Sequence, residues 1–290
     1  MACDETPFAR FPIVPQWQWA SPECLTRAAE DRSSGASGSK AARRGAPGTI
    51  ADTVPRMDKL IELQRLLPWA DWAALACFFA GWVGYAMFAT RRSLQRPSFL
   101  ASSNRVRRQW MLQTTYREVR VLDGVVVQQM SSTASFFAST TILIIGALLA
   151  VLGATEKASE LVREIPFAAR TSLLVFDLKV VVLAAIFVYA FFRFTWSIRQ
   201  YSVGVLLVAA APEADAFRDD AQREAFANSA GRVMGLAAES FNDGLRAYYL
   251  SFAAMAWFFS PWAMFVVTAS VLMVLFRREF RSEVLRMLEQ

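Results

Sequence analysis

Four stretches of this chain are each about as long as a bilayer is thick, and they carry almost no charge. A helix that crosses the hydrocarbon core needs roughly 20 mostly apolar residues. Residues 66–89 qualify, with Asp71 as the one charge, near the entrance. Residues 131–153 carry no charge, and residues 171–192 hold Asp177 and Lys179 in their early turns. Residues 248–276 are uncharged and contain Ser260-Pro261 near the middle. Inside hydrocarbon a backbone must satisfy its own polar groups, which leaves helices and closed barrels. No β pattern is present. The expectation is an all-α fold, an integral membrane helical bundle with about four transmembrane helices and cytoplasmic helical extensions.

The last stretch is long enough to raise a helical hairpin. Each half would hold about 13 residues, or about 20 Å of helix, against a core of about 30 Å. One tilted helix kinked at Pro261 fits that arithmetic better. Residues 203–211 are too short to span and read as a continuation of the third helix, ended by Pro212. Leu112, Tyr116, Val119, Leu122, Val126 and Met130 recur on one helical face. That pattern runs into the second span and predicts one long helix projecting from the membrane. After Pro212, Ala221, Ala225, Ser229, Val233, Ala237 and Phe241 recur every fourth residue, a small-residue face suited to close packing.

Residues 1–56 differ in kind. The segment from Arg32 to Gly48 is rich in Ser, Gly, Ala and Arg and cannot bury enough apolar surface to fold. Asp4 and Glu5 stand where a signal peptide would be basic, and no apolar h-region follows. Met57 opens an amphipathic run and reads as the initiator. The domain reading is therefore a disordered leader over 1–56, whose translation is open, and a transmembrane domain over 57–290.

Net charge is +6. A basic chain can bind nucleic acid, but here the arginines flank apolar runs, which marks the cytoplasmic side of a membrane protein. The lipid bilayer is the expected partner and nucleic acid is not. Arg91, Arg92, Arg96, Arg105, Arg107 and Arg108 crowd the first connection, and Arg199, Arg218, Arg223 and Arg232 the third. The second connection offsets its few basic residues with Glu156, Glu160 and Glu164. Residues 90–130 and 193–247 are thus expected in the cytoplasm of an inner-membrane protein, with both termini outside. The tail dissents, because Arg277, Arg278, Arg281 and Arg286 would then lie outside.

Histidine is absent, which removes Ser-His-Asp triads and His-ligated metals. The three cysteines form no CxxC. No catalytic, cofactor-binding or metal-binding residue is expected, nor is the chain expected to be an enzyme. Ionisable and hydroxyl groups within spans are the remaining candidates. Asp177 and Lys179 are about 200° apart on a helix and cannot face each other. Both suit the outer interface, with the Lys179 stem snorkelling to water. The alternative turns Asp177 inward, toward Arg170 or a polar span, as part of an ion or substrate path. Ser135, Ser139 and Thr140 form a hydroxyl stripe that suits packing between helices or, alternatively, a polar pore lining. Arg193, Trp196 and Arg199 suit anchoring at the inner interface or contact with an anionic lipid head group.

Several segments carry a likeness to a known family. They are LPWADW (67–72), FFASTTILIIGALLAVLG (136–153), FFRFTWSIRQY (191–201), FNDGLRAYYLSFAAMAWFFSPW (241–262) and FRREFRS (276–282). Together they resemble the uncharacterised multi-pass membrane family named domain of unknown function 599, found in bacteria and plants, over roughly Met57 to Arg286. Ser202 stands where that family tends to have Asn. The resemblance implies about four spans and no leader, and it supplies no activity or site residue. The expected role is a structural or interaction protein, self-associating through small-residue faces or binding a membrane partner. The alternative is a small transporter or channel using Asp177, Lys179 and the Ser135/Ser139/Thr140 stripe.

Overall fold

The computed structural model describes residues 68–93, 98–164 and 172–288, and the leader over 1–56 lies outside them. The described residues are mostly helical and include no strand, an all-α membrane bundle. Its helices are α1 (Trp69–Ser93), α2 (Phe99–Thr114), α3 (Val121–Gly153), α4 (Thr155–Glu164), α5 (Leu173–Ala209), α6 (Asp220–Ala256), α7 (Pro261–Phe280) and α8 (Glu283–Leu288). Among the described residues, three helical stretches are long and apolar enough to cross a membrane: Trp69–Ala89, Val121–Gly153 and Leu173–Ala209.

Neighbouring long helices run antiparallel. Phe137 meets Phe194 across α3 and α5, and Thr155 meets Asp177 at the other end of the pair. Along α5 and α6, Arg193 pairs with Asp243 and Lys179 reaches Trp257. Helix α7 folds back along α6, so that Glu279 approaches Arg246 and Arg278 reaches Tyr249. Helix α1 runs parallel to α7, from Asp71 beside Trp257 to Phe88 beside Phe276 and Phe280.

The apolar stretch over 248–276 is therefore not one kinked helix. It breaks at Trp257–Ser260 into a hairpin. Ser260 caps α7, its hydroxyl accepting from the Ala263 amide at 3.1 Å, and Pro261 occupies the first turn. A proline there starts a helix, because its missing N–H would have had no partner anyway. The length argument against a hairpin fails because both arms extend beyond the greasy stretch. Helix α6 begins at Asp220 and α7 runs on to Phe280.

The bundle has two storeys. At about 1.5 Å per residue, the 37 residues of α5 reach about 55 Å, well past a core of about 30 Å. One core holds Phe78, Phe187, Phe194, Trp257 and Met264. A second holds Met111, Val127, Tyr201, Val208, Ala230 and Met234, built from α2, the start of α3 and the adjoining halves of α5 and α6. The continuation of the third helix through 203–209 is thus real, and it stops before Pro212. The Arg120 guanidinium secures that stop by donating to the carbonyls of Ala211, at 2.7 Å, and Pro212.

Two expected faces differ from the observed ones. The stripe from Leu112 to Met130 does not lie on one helix, because the chain turns between Thr114 and Val121. Tyr116, Val119 and Leu122 stay exposed, and Asp123, Val127, Ala134, Ala138 and Thr141 turn inward. On α6 the buried set includes Ala227, Ala230, Gly231, Met234, Ala237 and Ala238 rather than every fourth residue. Steps of four advance about 400°, so a strict four-residue series drifts around the helix, whereas alternating threes and fours hold one face.

Candidate functional site: the two ends of the bundle

One end of the bundle collects the arginines. The end of α1 and the start of α2 lie on that side, α5 and α6 run on beyond them to their own connection, and the tail returns to the same side with α7. This corrects the expectation that both termini lie together on the opposite side: the tail arginines join the other basic segments.

The polar groups at this end are linked from helix to helix. Asp243 of α6 pairs with Arg193 of α5 and with Arg246 one turn on, at 3.1 Å. Arg246 also approaches Glu279 of α7 at 3.9 Å, and Glu279 accepts from the Leu100 amide of α2 at 3.3 Å. On the second storey, Asn104 donates to Glu239 at 3.2 Å and accepts from Arg107 at 2.9 Å. Burial pushes the Arg107 guanidinium below its usual range, against the opposing influence of Tyr201 and Glu239. Arg193 is drawn into an ion-pair chain, while Trp196 and Arg199 remain exposed. Two cavities open on this network. One of about 290 Å³ lies among α1, α2, α6 and α7, and one of about 170 Å³ adjoins it around Asn242 and Glu279.

The opposite end holds the intramembrane charges. Lys179 does not snorkel: it is 2% exposed. Its Nζ donates to the Trp257 carbonyl at 2.9 Å and lies 5.2 Å from the centre of the Trp257 ring. The same Trp257 donates its indole N–H to Asp71 Oδ1 at 2.6 Å, and the field of Asp71 reaches Lys179. The helix break exposes a carbonyl, and the lysine supplies its donor in a site where an unmet acceptor would be costly. Asp177 is half-buried and accepts from Thr155 of α4 at 2.8 Å. The two candidates thus have separate jobs: one joins α4 to α5, the other holds the hairpin turn.

The hydroxyls of the stripe bond within their own helix or stay exposed. Ser135 and Thr140 donate to the carbonyls of Ser131 and Phe136 on their own helix, and Ser139 is exposed. The hydroxyl that crosses between helices is Thr141, which shares a 2.7 Å hydrogen bond with Tyr248. Sequence reasoning passed over Thr141, Asp243, Arg246 and Glu279. Asp71 carried a readable signal, since any charge within a span is a site candidate. Its position near the entrance concealed that it faces inward. Asp123 was equally hidden: it is fully buried in α3 and accepts from Trp110, at 2.6 Å, and from Arg117.

Helices with a greasy exterior, a protein-like second storey and charged groups closed on one another define a helical membrane protein. The family model described as a protein of unknown function, DUF599, matches residues 73–284, well over half of the chain, and the chain belongs to that family. No curated protein and no solved structure matches it.

Proposed function

We propose that this chain is a multi-pass inner-membrane protein that acts by binding at its arginine-rich end, as a structural or interaction protein and not as an enzyme or a conduit. In this reading α1, α3, α5, the second half of α6 and α7 make five crossings. The arginine-rich end lies in the cytoplasm, because short basic segments near span ends are retained there. The placement of the tail on the same side as α2 and the far half of α5 supports this, since one orientation then accounts for the basic residues of 91–120, 199–223 and 277–286.

The observation that carries the binding reading is the difference between the two ends. In the membrane storey Lys179, Asp71, Ser135 and Thr140 are already engaged with protein groups. The polar cavities gather at the arginine-rich end. Self-association through α1 fits as well: Ala76 and Ala80 are exposed, and the space beside Gly84 is open.

The test is ion and solute flux through proteoliposomes containing the full chain, with Asp177→Asn alongside. The binding reading expects leakage equal to that of empty liposomes for both proteins. Flux that Asp177→Asn alters would replace it with the transporter reading.

A further inference from the structure

The cavity of about 290 Å³ at the arginine-rich end has the makings of a small anion site. Its volume sits at the lower limit of small-molecule sites, about 300–1,000 Å³, and suits a head group better than a drug-sized ligand. Tyr85, Asn242, Arg246, Tyr249, Arg278 and Ser282 line it, so two guanidiniums, three hydroxyls and an amide surround one space. Glu279 also lines it, but that carboxylate is already engaged by the Leu100 amide and by Arg246. Arg246 is spent on Asp243 and Glu279, and its side chain is only 17% exposed. Arg278 is exposed, lies over the Tyr249 ring at 5.5 Å and donates one N–H to the Tyr249 hydroxyl. A guanidinium carries five N–H donors in a planar fork that matches a phosphate.

The remaining wall is apolar, with Phe99, Leu245 and Leu275. The uncharged run of α7 ends at Phe276 and gives way to Arg277 and Arg278. The cavity therefore sits at the level where the uncharged run of α7 gives way to charge, and apolar and guanidinium side chains line it together. We infer that this cavity binds a phosphate ester, held chiefly by Arg278 with Ser282 and Tyr85, and that the ester is the head group of an anionic phospholipid. The site is independent of which face of the membrane this end occupies and of whether the chain conducts.

The experiment uses the full chain in phosphatidylcholine nanodiscs doped with phosphatidylglycerol, with retained lipid counted by native mass spectrometry. A second arm adds glycerol phosphate to protein in nanodiscs of phosphatidylcholine alone. The variants are Arg278→Gln and Ser282→Ala, with Arg277→Gln as a control that removes an equal charge outside the cavity. Expected is phosphatidylglycerol retention that falls about tenfold in Arg278→Gln, the weight of one charge-assisted hydrogen bond, less in Ser282→Ala, and not in Arg277→Gln. Binding confined to the lipid arm assigns the head group. The same loss in the glycerol phosphate arm supports the phosphate site with a soluble occupant. Equal retention in Arg278→Gln and Arg277→Gln, or no preference for phosphatidylglycerol over phosphatidylcholine in the unaltered protein, overturns the inference.

Discussion

Lys179 and Asp71 show what a charged side chain costs and contributes inside a membrane bundle. Neither touches the other's partner atom: one satisfies the Trp257 carbonyl, the other its indole N–H. Both act on the same residue, so their effects should couple. Lys179→Met keeps the stem and removes the donor, and a loss of about 1–3 kcal/mol is expected. Asp71→Asn should cost less, because an amide oxygen can still accept. In the double variant the penalty should depart from the sum by about 0.5 kcal/mol or more, read from reversible unfolding in detergent. Strict additivity would mean that Trp257 does not link them. Asp123 makes the simpler prediction. Asp123→Ala strands the Trp110 indole N–H and frees Arg117, which is half-exposed and rehydrates, so about 2–3 kcal/mol is expected from the same measurement.

Helix α6 governs the arrangement at the level of elements, and its composition explains why. It is sheltered by α2, α5 and α7 along much of its length, with Phe252 and Met255 left exposed, so fit selects most of its residues. Small side chains serve it better than greasy ones: Gly231 brings α2 so near that an added Cβ would lie 2.8 Å from Arg108 Cα. Gly244 likewise accepts the Phe194 ring. Gly231→Ala must push the α2 backbone outward and should destabilise the second storey by about 1–3 kcal/mol, with faster amide exchange in α2 than in α7. At the hairpin, Ser260→Ala removes the cap of α7 and should lower stability by about 1 kcal/mol. A kinked continuous helix would have no cap to lose, so an unchanged melting curve would argue against the hairpin.

At the scale of the whole molecule, the hairpin decides topology. Splitting the last apolar stretch adds a crossing and brings the tail to the end where the other basic segments lie. Reporters placed after Gln290 and within the turn around Asp215 should therefore report the same side of the membrane. A reporter placed before α1 should report the opposite side. Opposite readings from Gln290 and Asp215 would restore an even number of crossings. The exposed apolar belt, including Leu143, Val266 and Met273, belongs to lipid in either case.

Much of this was legible in the chain. The greasy runs of α1, α3 and α5 announce themselves because lipid-facing positions must be apolar all round, and that needs no knowledge of neighbours. The stop before Pro212 and the Arg-rich connections were equally local signals. What only the tertiary structure decided is everything that depends on what a side chain meets. Hydropathy revealed only the last turns of α6, from 248 onward, because a helix largely wrapped by protein is chosen for fit and not for solubility in oil. Nor could spacing tell that Pro261 begins a helix, that Lys179 turns inward to an open carbonyl, or that Thr141 rather than Ser135 bridges two helices. Transfer into lipid is a property of each segment alone, whereas pairing is a property of two segments at once, and only the folded bundle brings them together.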